Sequence, residues 1–348
     1  MNYLIKHQHL MDFSSDCCVI FYKHTNELKD LFKNKPLLAD VTSLINSKEC
    51  QSDTPSSTMY HNFNNKGPKR LMFIGLGTKN EPYDAVRMKS GTLARFFQPF
   101  KFRHISVLIN LSISKSYSIF CDDFIQGFTL GQYQFKSLKS SKLTPLTINK
   151  VTFISNEKNT TLSVDDSIIK AQAQNTARDL ANLPGNLLTP ELFINQAKTL
   201  LSDSTIKQTI FNTDDIQKKG MNALYNVGKG SNNPPFLLKL EHNTASKKPP
   251  IILVGKGVTF DSGGLSIKPS KGMSEMKADM SGAAAVFSTL LACSKLSLPH
   301  PVIGLIPLAE NMPSGTAYRP GDVITAFNGT SIEITNTDAE GRLILADA

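Results

Sequence analysis

Short apolar runs alternate with stretches of helical periodicity along the first 150 residues. Residues 71–74 and 105–113 form apolar runs that are typical of buried strands. Residues 84–97 and 124–135 follow these runs and carry apolar side chains about one helical turn apart. Alternating strands and helices indicate an α/β domain, and about 150 residues is an ordinary domain size. We therefore predict an N-terminal α/β domain over residues 1–150.

Polar composition marks the predicted end of this domain. Residues 136–150 are rich in Lys, Ser and Thr, and residues 155–166 are also polar, which is typical of a linker. Residues 167–183 then have the pattern of a long helix that ends before a Pro-Gly pair. We predict that residues 151–185 form a linker and a bridging helix.

Residues 186–348 also alternate strand and helix signals. Residues 251–254 and 302–306 are predicted to be buried strands, and residues 281–296 between them carry apolar side chains at helical spacing. Strand, helix and strand in this order favour parallel pairing within one sheet. Asn328-Gly329 lies between two further apolar segments and is a strong hairpin signal. We predict a second α/β domain with an added hairpin.

Composition excludes several other classes of protein. Of the 348 residues, 40% are hydrophobic, 19% are charged and 8% are aromatic, which excludes a disordered chain, a collagen and a coiled coil. No uncharged apolar run is long enough to span a membrane, and the N-terminus has no secretory apolar region. The five cysteines have no metal-binding spacing, so we expect reduced, buried thiols and a cytoplasmic protein.

The net charge is +9, and the whole excess lies in residues 1–150, which hold 20 Lys and Arg against 11 Asp and Glu. A nucleic acid or another acidic partner could bind such a surface. The basic residues are dispersed, however, and no aromatic stacking pattern accompanies them. We therefore favour a solvated lysine-rich face over a nucleic-acid interface.

Two polar segments interrupt the apolar pattern where predicted strands end. The first covers residues 254–282, and the second is Asn-Thr-Asp-Ala-Glu-Gly-Arg at 336–342. They contribute four carboxylates to a region that otherwise has the pattern of buried core: Asp261, Asp279, Asp338 and Glu340. Buried carboxylates repel one another, so these four are either apart and solvated or share cations. Open α/β sheets bind ligands at the carboxyl ends of their strands, where both segments begin.

Carboxylates without a nearby His or Cys are typical ligands of hard or borderline cations such as Mg²⁺, Mn²⁺ or Zn²⁺. Asp338 and Glu340 are two residues apart, which in an extended segment puts both side chains on one face. Four carboxylates suit two ions better than one, and two ions can hold a nucleophilic hydroxide. Three of the carboxylates could instead cap helices: Asp279 the helix predicted from Ser281, and Asp338 and Glu340 the helix that starts near them. No capping scheme requires both segments, so we predict a dinuclear hydrolase.

Three basic residues supply the positive side of this predicted site: Lys256, Lys268 and Arg342. A lysine held against a dication becomes neutral and can then act as a nitrogen ligand. A second, charged lysine can polarise a substrate carbonyl and stabilise its tetrahedral intermediate. An arginine can hold a small planar anion between its parallel N–H groups.

At these residues the chain resembles a known family. The two polar segments are similar to the signatures of the leucyl aminopeptidase (cytosol aminopeptidase) family, for which the 336–342 motif is highly specific. The resemblance extends to the bridging helix and residues 183–190, and more weakly to residues 127–135. It implies a macro-like N-terminal α/β domain plus a catalytic α/β domain with a mixed, largely parallel sheet. Family members continue past the motif, so it also implies that the catalytic domain, residues 186–348, lacks its C-terminal part.

The resemblance implies a role for each candidate residue. In the family, the more exchangeable of the two metal ions is bound by residues that match Lys256, Asp261, Asp279 and Glu340. The second ion is bound by residues that match Asp261, Asp338 and Glu340, so that Asp261 and Glu340 bridge the two ions.

Three further residues match the family's chemistry. Lys268 matches the catalytic lysine that polarises the scissile carbonyl. Arg342 matches the arginine that holds bicarbonate, which acts as the general base. Met276 matches a residue that lines the pocket for the first substrate side chain. The implied cofactors are thus two divalent ions, Mn²⁺ or Zn²⁺ with Mg²⁺ or Co²⁺ as further candidates, and bicarbonate.

The activity implied is that of a cytoplasmic metalloaminopeptidase that removes N-terminal leucine and other apolar residues from peptides. The full-length family assembles into homo-hexamers, with peptides as substrates and no membrane partner. Two alternatives stay open at this point. One is a truncated homologue without activity, and the other is a DNA-binding protein that uses the basic N-terminal domain.

Overall fold

The computed structural model describes residues 1–33, 37–53, 55–63, 66–77, 84–114, 116–135, 138, 146–155 and 164–348. Within these residues the chain divides into two units, Met1–Ala171 and Gln172–Ala348. Most of the predicted polar linker, at 136–145 and 156–163, lies outside the described residues apart from residue 138. None of the helices within the described ranges combines the length and apolar character needed to cross a bilayer.

A six-stranded sheet lies at the centre of the first unit. Its strands are β1 (Asn2–Lys6), β2 (Cys17–Tyr22), β3 (Ser56–His61), β4 (Arg70–Gly75), β5 (His104–Leu108) and β6 (Lys150–Ile154). The strand order is β1-β6-β5-β2-β4-β3, and all neighbours are parallel except β3 and β4. The helices are α1 (Thr25–Leu31), α2 (Leu38–Asn46), α3 (Ala85–Phe96) and α4 (Tyr117–Gly131), and α5 (Val164–Asn182) continues into the second unit.

Strand β2 is apolar and buried along its whole length, as expected for a central parallel strand with both faces covered. Cys17, Val19 and Phe21 belong to the core on one face, together with apolar residues of α3 and α4. Their neighbours along the strand belong to the core on the other face, with residues of α1 and α2. The five cysteines are all free and buried.

The second unit is built on β11 (Val302–Asn311). The remaining strands are β7 (Lys207–Phe211), β8 (Phe236–His242), β9 (Ile251–Val254), β10 (Gly257–Asp261), β12 (Val323–Thr325) and β13 (Ser331–Glu333). Strand β11 pairs with β8 antiparallel on one side and, on the other side, with β9 and then β10 in parallel. Strand β7 is antiparallel to β8, so the sheet is mixed. The helices are α6 (Pro190–Leu200), α7 (Thr213–Lys218), α8 (Asn222–Gly228), α9 (Ser281–Lys295) and α10 (Glu340–Asp347).

The structure confirms the α/β class and the parallel strand–helix–strand unit, which is β9, α9 and β11. The predicted hairpin is β12 and β13, antiparallel, with Gly329 at φ +85° in its turn. The predicted burial of residues 251–254 is wrong, because Ile251 is 51% exposed and Ile252 is 57% exposed. Within the described residues β9 pairs with β11 alone, and of its side chains Leu253 packs against the core of this unit.

Helices α3 and α4 approach each other through glycines. A Cβ at Gly127 would lie 2.0 Å from the carbonyl oxygen of Arg87, and a Cβ at Gly131 would lie 2.2 Å from that of Gly91. These distances exclude any side chain unless the two helices separate. Glycine is therefore required at this crossing for its size, although it weakens a helix interior.

We predict that Gly127→Ala lowers the free energy of unfolding by about 1–3 kcal/mol, because overpacking forces α3 and α4 apart. Alanine is more favourable than glycine in a helix interior by about 1 kcal/mol, so helix propensity alone would predict a gain in stability. A measured loss of stability would therefore come from the clash. Denaturant unfolding followed by circular dichroism measures the change. The control is Gly315→Ala, where a Cβ meets nothing within 4 Å. Equal stability of the two variants would contradict the predicted clash.

Candidate metal centre

The two polar segments meet at the carboxyl ends of β10 and β11. Strand β10 ends at Asp261 and pairs in parallel with β11, which ends at Asn311. Lys256 lies between β9 and β10, and Asp279 follows the 3₁₀ helix Met273–Ala278 directly before α9. The second segment forms the 3₁₀ helix Thr337–Ala339 and the start of α10.

Three carboxylates converge at this edge of the sheet. Asp261, Asp338 and Glu340 each offer one oxygen, and these oxygens lie within 4.8 Å of one another. Asp261 is 2% exposed and Glu340 is 1% exposed, whereas the side chain of Asp338 is 32% exposed. The extended conformation expected for Asp338 and Glu340 is wrong, because the chain turns through a 3₁₀ helix there. The turn, and not strand alternation, brings the two side chains together.

The helix caps next to these carboxylates come from other groups. Asn336 caps the 3₁₀ helix, where its Oδ1 accepts a hydrogen bond of 2.8 Å from Asp338 N. The N-cap positions of α9 and α10 are Met280 and Ala339, which make no side-chain capping bond. The capping alternative therefore has no support at Asp279, Asp338 or Glu340.

Two lysines pair with the four carboxylates. Lys256 Nζ lies 2.7 Å from Asp279 Oδ2 and 2.8 Å from Glu340 Oε1. Lys268 Nζ lies 2.8 Å from Asp261 Oδ2 and also contacts Asp338 Oδ1. Asp279 thus joins the cluster through Lys256. Four carboxylates facing two ammonium groups leave an excess of negative charge.

Burial and charge pull the pKa values of this cluster in opposite directions. Burial lowers the pKa of Lys256, but its hydrogen bonds to Asp279 and Glu340 outweigh burial and raise that pKa above its ordinary value. The pKa of Lys268 is raised in the same way, because its two carboxylate partners outweigh burial. Burial raises the pKa values of Asp279 and Glu340, and Lys256 offsets only part of that effect. Lys256 therefore does not fully offset the burial of Asp279 and Glu340.

The oxygen atoms of the cluster fit a divalent cation. Asp261 Oδ1 accepts hydrogen bonds of 2.9 Å from Gly263 N and from Asn311 Nδ2, so Oδ2 is the oxygen that faces Lys268. Glu340 Oε2 is buried and makes no hydrogen bond within the described part of the chain. A buried carboxylate oxygen without a donor is costly, and a hard cation is the kind of partner that removes this cost.

Hydroxyl groups join the two segments. Thr337 Oγ1 donates to the carbonyl oxygen of Gly263 at 2.6 Å and accepts from Ser266 N at 2.8 Å. Thr337 N donates in return to Ser266 Oγ at 3.2 Å. Tyr318, which is buried, donates its OH to the carbonyl oxygen of Thr337 at 2.7 Å. These contacts hold the second segment against the loop that follows β10.

Comparison with known proteins connects this geometry to a family. Residues 175–348 match the model of the cytosol aminopeptidase family, catalytic domain, and residues 19–142 match that of the same family's N-terminal domain. The chain belongs to the cytosol aminopeptidase family. This confirms the resemblance that the two polar segments indicated.

Individual relatives cover most of the chain. A probable cytosol aminopeptidase of Geotalea uraniireducens is 35% identical over 318 residues, which are 88% of this chain and 63% of the relative. One of Mycobacterium marinum is 41% identical over 288 residues, which are 80% of this chain and 54% of the relative. The chain thus spans between half and two thirds of the length of these curated family members.

Solved structures of similar proteins share the fold. The bottromycin maturation enzyme BotP in complex with Mn has a TM-score of 0.77 at 30% identity, over 96% of this chain and 68% of that one. A mutant of tomato leucine aminopeptidase has a TM-score of 0.80 at 27% identity, over 100% of this chain and 70% of that one. The α/β fold with an N-terminal domain and a catalytic domain is therefore that of the cytosol aminopeptidases.

Two of the predicted site residues take no part in the ion pairs that the carboxylates make among the described residues. Arg342 is exposed on the first turn of α10, two residues after Glu340. Met276 is half-buried in the 3₁₀ helix before Asp279. Conversely, the sequence analysis missed Thr337, which lies inside the family motif, and the hydroxyl partners that hold it.

We predict that Thr337→Val lowers the free energy of unfolding by about 2 kcal/mol, because it leaves the carbonyl of Gly263 and the amide of Ser266 without a buried partner. Urea unfolding in the presence of EDTA measures this loss in the metal-free chain. The control is Thr259→Val, whose buried hydroxyl makes one long bond of 3.4 Å to the carbonyl of Ala309. We expect the control to lose less than about 1 kcal/mol. A control that loses as much would contradict the role of Thr337 in joining the segments.

Proposed function

We propose that the protein is a metalloaminopeptidase that hydrolyses the first peptide bond of peptides. The observation that carries this proposal is the convergence of Asp261, Asp338 and Glu340, with a buried oxygen of Glu340 that has no hydrogen-bond donor among the described residues. Membership of the cytosol aminopeptidase family supports it, as does the Mn named with the similar enzyme BotP.

Each residue of the cluster has a proposed role in metal binding. Lys256, Asp261, Asp279 and Glu340 hold one divalent ion, and Asp261, Asp338 and Glu340 hold the other. We propose Mn²⁺ or Zn²⁺, with Mg²⁺ or Co²⁺ as substitutes, because oxygen ligands accept all of these ions. When bound, two such ions supply a hydroxide nucleophile at neutral pH and stabilise negative charge on the attacked carbonyl.

The remaining residues act on the substrate. Lys268 lies between Asp261 and Asp338, where its ammonium can donate to the oxygen of the scissile carbonyl as negative charge develops. Arg342, exposed next to Glu340, would hold a bicarbonate ion, which would supply the general base of the reaction. Met276 lines the pocket for the first side chain, which favours leucine and other apolar residues.

The proposal extends to the setting of the reaction. We propose that the protein acts in the cytoplasm, where its five buried free cysteines stay reduced, and that it works as a homo-hexamer, as the family resemblance implies. Peptides with a free N-terminus are the proposed substrates, because the amino group can bind a metal ion.

Substitution of a bridging carboxylate tests the metal site. We predict that wild-type protein binds two Mn²⁺ ions per chain by titration calorimetry and releases p-nitroaniline from leucine p-nitroanilide, and that EDTA abolishes this release. Asp261→Asn should weaken Mn²⁺ binding and activity by more than about 100-fold, since even loss of a residue that supports a ligand costs about 10–100-fold. Asp322→Asn, which weakens the ion pair of Asp322 with Arg319 and its hydrogen bond from Arg319 N, is the control.

The two readouts separate the parts of this proposal. If wild-type protein binds two Mn²⁺ ions but releases no p-nitroaniline, the peptidase activity is wrong for this chain while the metal site stands. If wild-type protein and Asp261→Asn bind Mn²⁺ equally, the metal site itself is wrong.

Neutralisation of Lys268 tests the proposed carbonyl polarisation. We predict that Lys268→Gln lowers kcat about 100- to 1000-fold with little change in KM, because the ammonium interacts most strongly with the charge of the transition state. Steady-state kinetics at saturating Mn²⁺ measures both constants. Lys271→Gln is the matched control, since Lys271 is exposed in the same loop. A rise in KM with unchanged kcat would show that Lys268 binds the substrate without polarising it.

A further inference from the structure

Asn311 connects the two segments of the candidate site through a single side chain. It is the last residue of β11 and has no exposed surface. Its Nδ2 donates a hydrogen bond of 2.9 Å to Asp261 Oδ1 and another of 2.9 Å to the carbonyl oxygen of Thr337. One amide group therefore contacts a carboxylate of the first segment and the backbone of the second.

The chemistry of its neighbours fixes the orientation of this amide. Both groups that face Nδ2 are acceptors, so a rotated amide would set Oδ1 against a carboxylate and a carbonyl. The main chain of Asn311 is held as well, because its carbonyl oxygen accepts from Ser262 N at 3.0 Å and from Ser262 Oγ at 2.7 Å. On the other side, a Cβ at Gly264 would lie 2.8 Å from Asn311 Oδ1. The side chain has little freedom to move.

These contacts also fix the carboxylate of Asp261. With Gly263 N and Asn311 Nδ2 both bonded to Oδ1, rotation of the carboxylate would break two hydrogen bonds at a buried position. Oδ2 therefore stays directed toward Lys268. Because Asn311 also holds the carbonyl of Thr337, it sets the position of Asp261 relative to the residue that precedes Asp338.

We propose that Asn311 is a positioning residue that presents Asp261 and the 336–342 segment to the metal ions in a fixed relative geometry. This inference rests on the proposed function, because it requires that Asp261 binds metal. Residues that orient metal ligands in this way typically contribute about 10–100-fold to metal affinity. Asn311 touches neither substrate nor metal in this role.

The test compares Asn311→Leu with Tyr318→Phe. Leucine has nearly the shape of asparagine but removes both N–H donors. Tyr318→Phe removes another donor to the same carbonyl of Thr337 and leaves the bond to Asp261 intact. Mn²⁺ titration calorimetry gives the metal affinity, and thermal unfolding in EDTA gives the purely structural effect. We expect Asn311→Leu to raise the Kd for Mn²⁺ about 10–100-fold and Tyr318→Phe to raise it less than about threefold.

Asn311→Ala is measured in parallel, because it removes the same donors without adding apolar atoms beside Asp261. Equal Mn²⁺ affinity in wild-type protein and both Asn311 variants would overturn the inference while the metal site stands. A failure of both variants to fold, with Tyr318→Phe folded, would overturn it too, since Asn311 would then support the fold and not the ligands. Absence of Mn²⁺ binding by wild-type protein would overturn the proposed function together with this inference.

Discussion

Repulsion among carboxylates is the constraint on which the second unit depends. Asp261 and Glu340 are buried, Asp338 lies within 4.8 Å of them, and Asp279 joins them through Lys256. Carboxylates removed from water destabilise the fold unless positive charge and hydrogen-bond donors compensate. Two lysines supply part of the positive charge, and the donors come from Gly263 N and Asn311. The raised pKa values of Asp279 and Glu340 show that this compensation is incomplete.

The sheet explains why these groups meet at all. Strands β10 and β11 are parallel, so their carboxyl ends lie side by side, and Asp261 and Asn311 become neighbours although they are 50 residues apart. The second segment has no strand to hold it there. Hydrogen bonds between the hydroxyl groups of Thr337 and Ser266 and the backbone hold it instead. They fix the 3₁₀ turn against the loop after β10. Sheet topology places one half of the site, and side-chain hydrogen bonds place the other.

Sheet topology and side-chain hydrogen bonds differ in how far the sequence can predict them. Apolar periodicity indicated the α/β class and the β9–α9–β11 unit, and the Asn328-Gly329 pair indicated the hairpin, because these signals lie in short stretches of the chain. The four carboxylates stood out as charged residues in apolar surroundings. The same reasoning failed for residues 251–254, since an apolar run does not say which elements cover its two faces. It also missed Asn311 and Thr337, because a hydrogen bond between residues 26 to 74 positions apart leaves no periodic signal.

Neutral side chains bond to the backbone at this site, and the carboxylates do not cap its helices. This difference is related to the repulsion among the carboxylates. An Asp that caps a helix uses a carboxylate oxygen for a backbone amide and becomes a poorer cation ligand. Here Asn336 caps the 3₁₀ helix and no side chain caps α10, so the carboxylates of Asp338 and Glu340 pair with the two lysines instead of serving as caps. Neutral side chains thus satisfy the backbone, while a buried oxygen of Glu340 has no donor within the described residues. A buried carboxylate oxygen without a donor lowers the free energy of unfolding. A cation bound to that oxygen of Glu340 would restore this free energy.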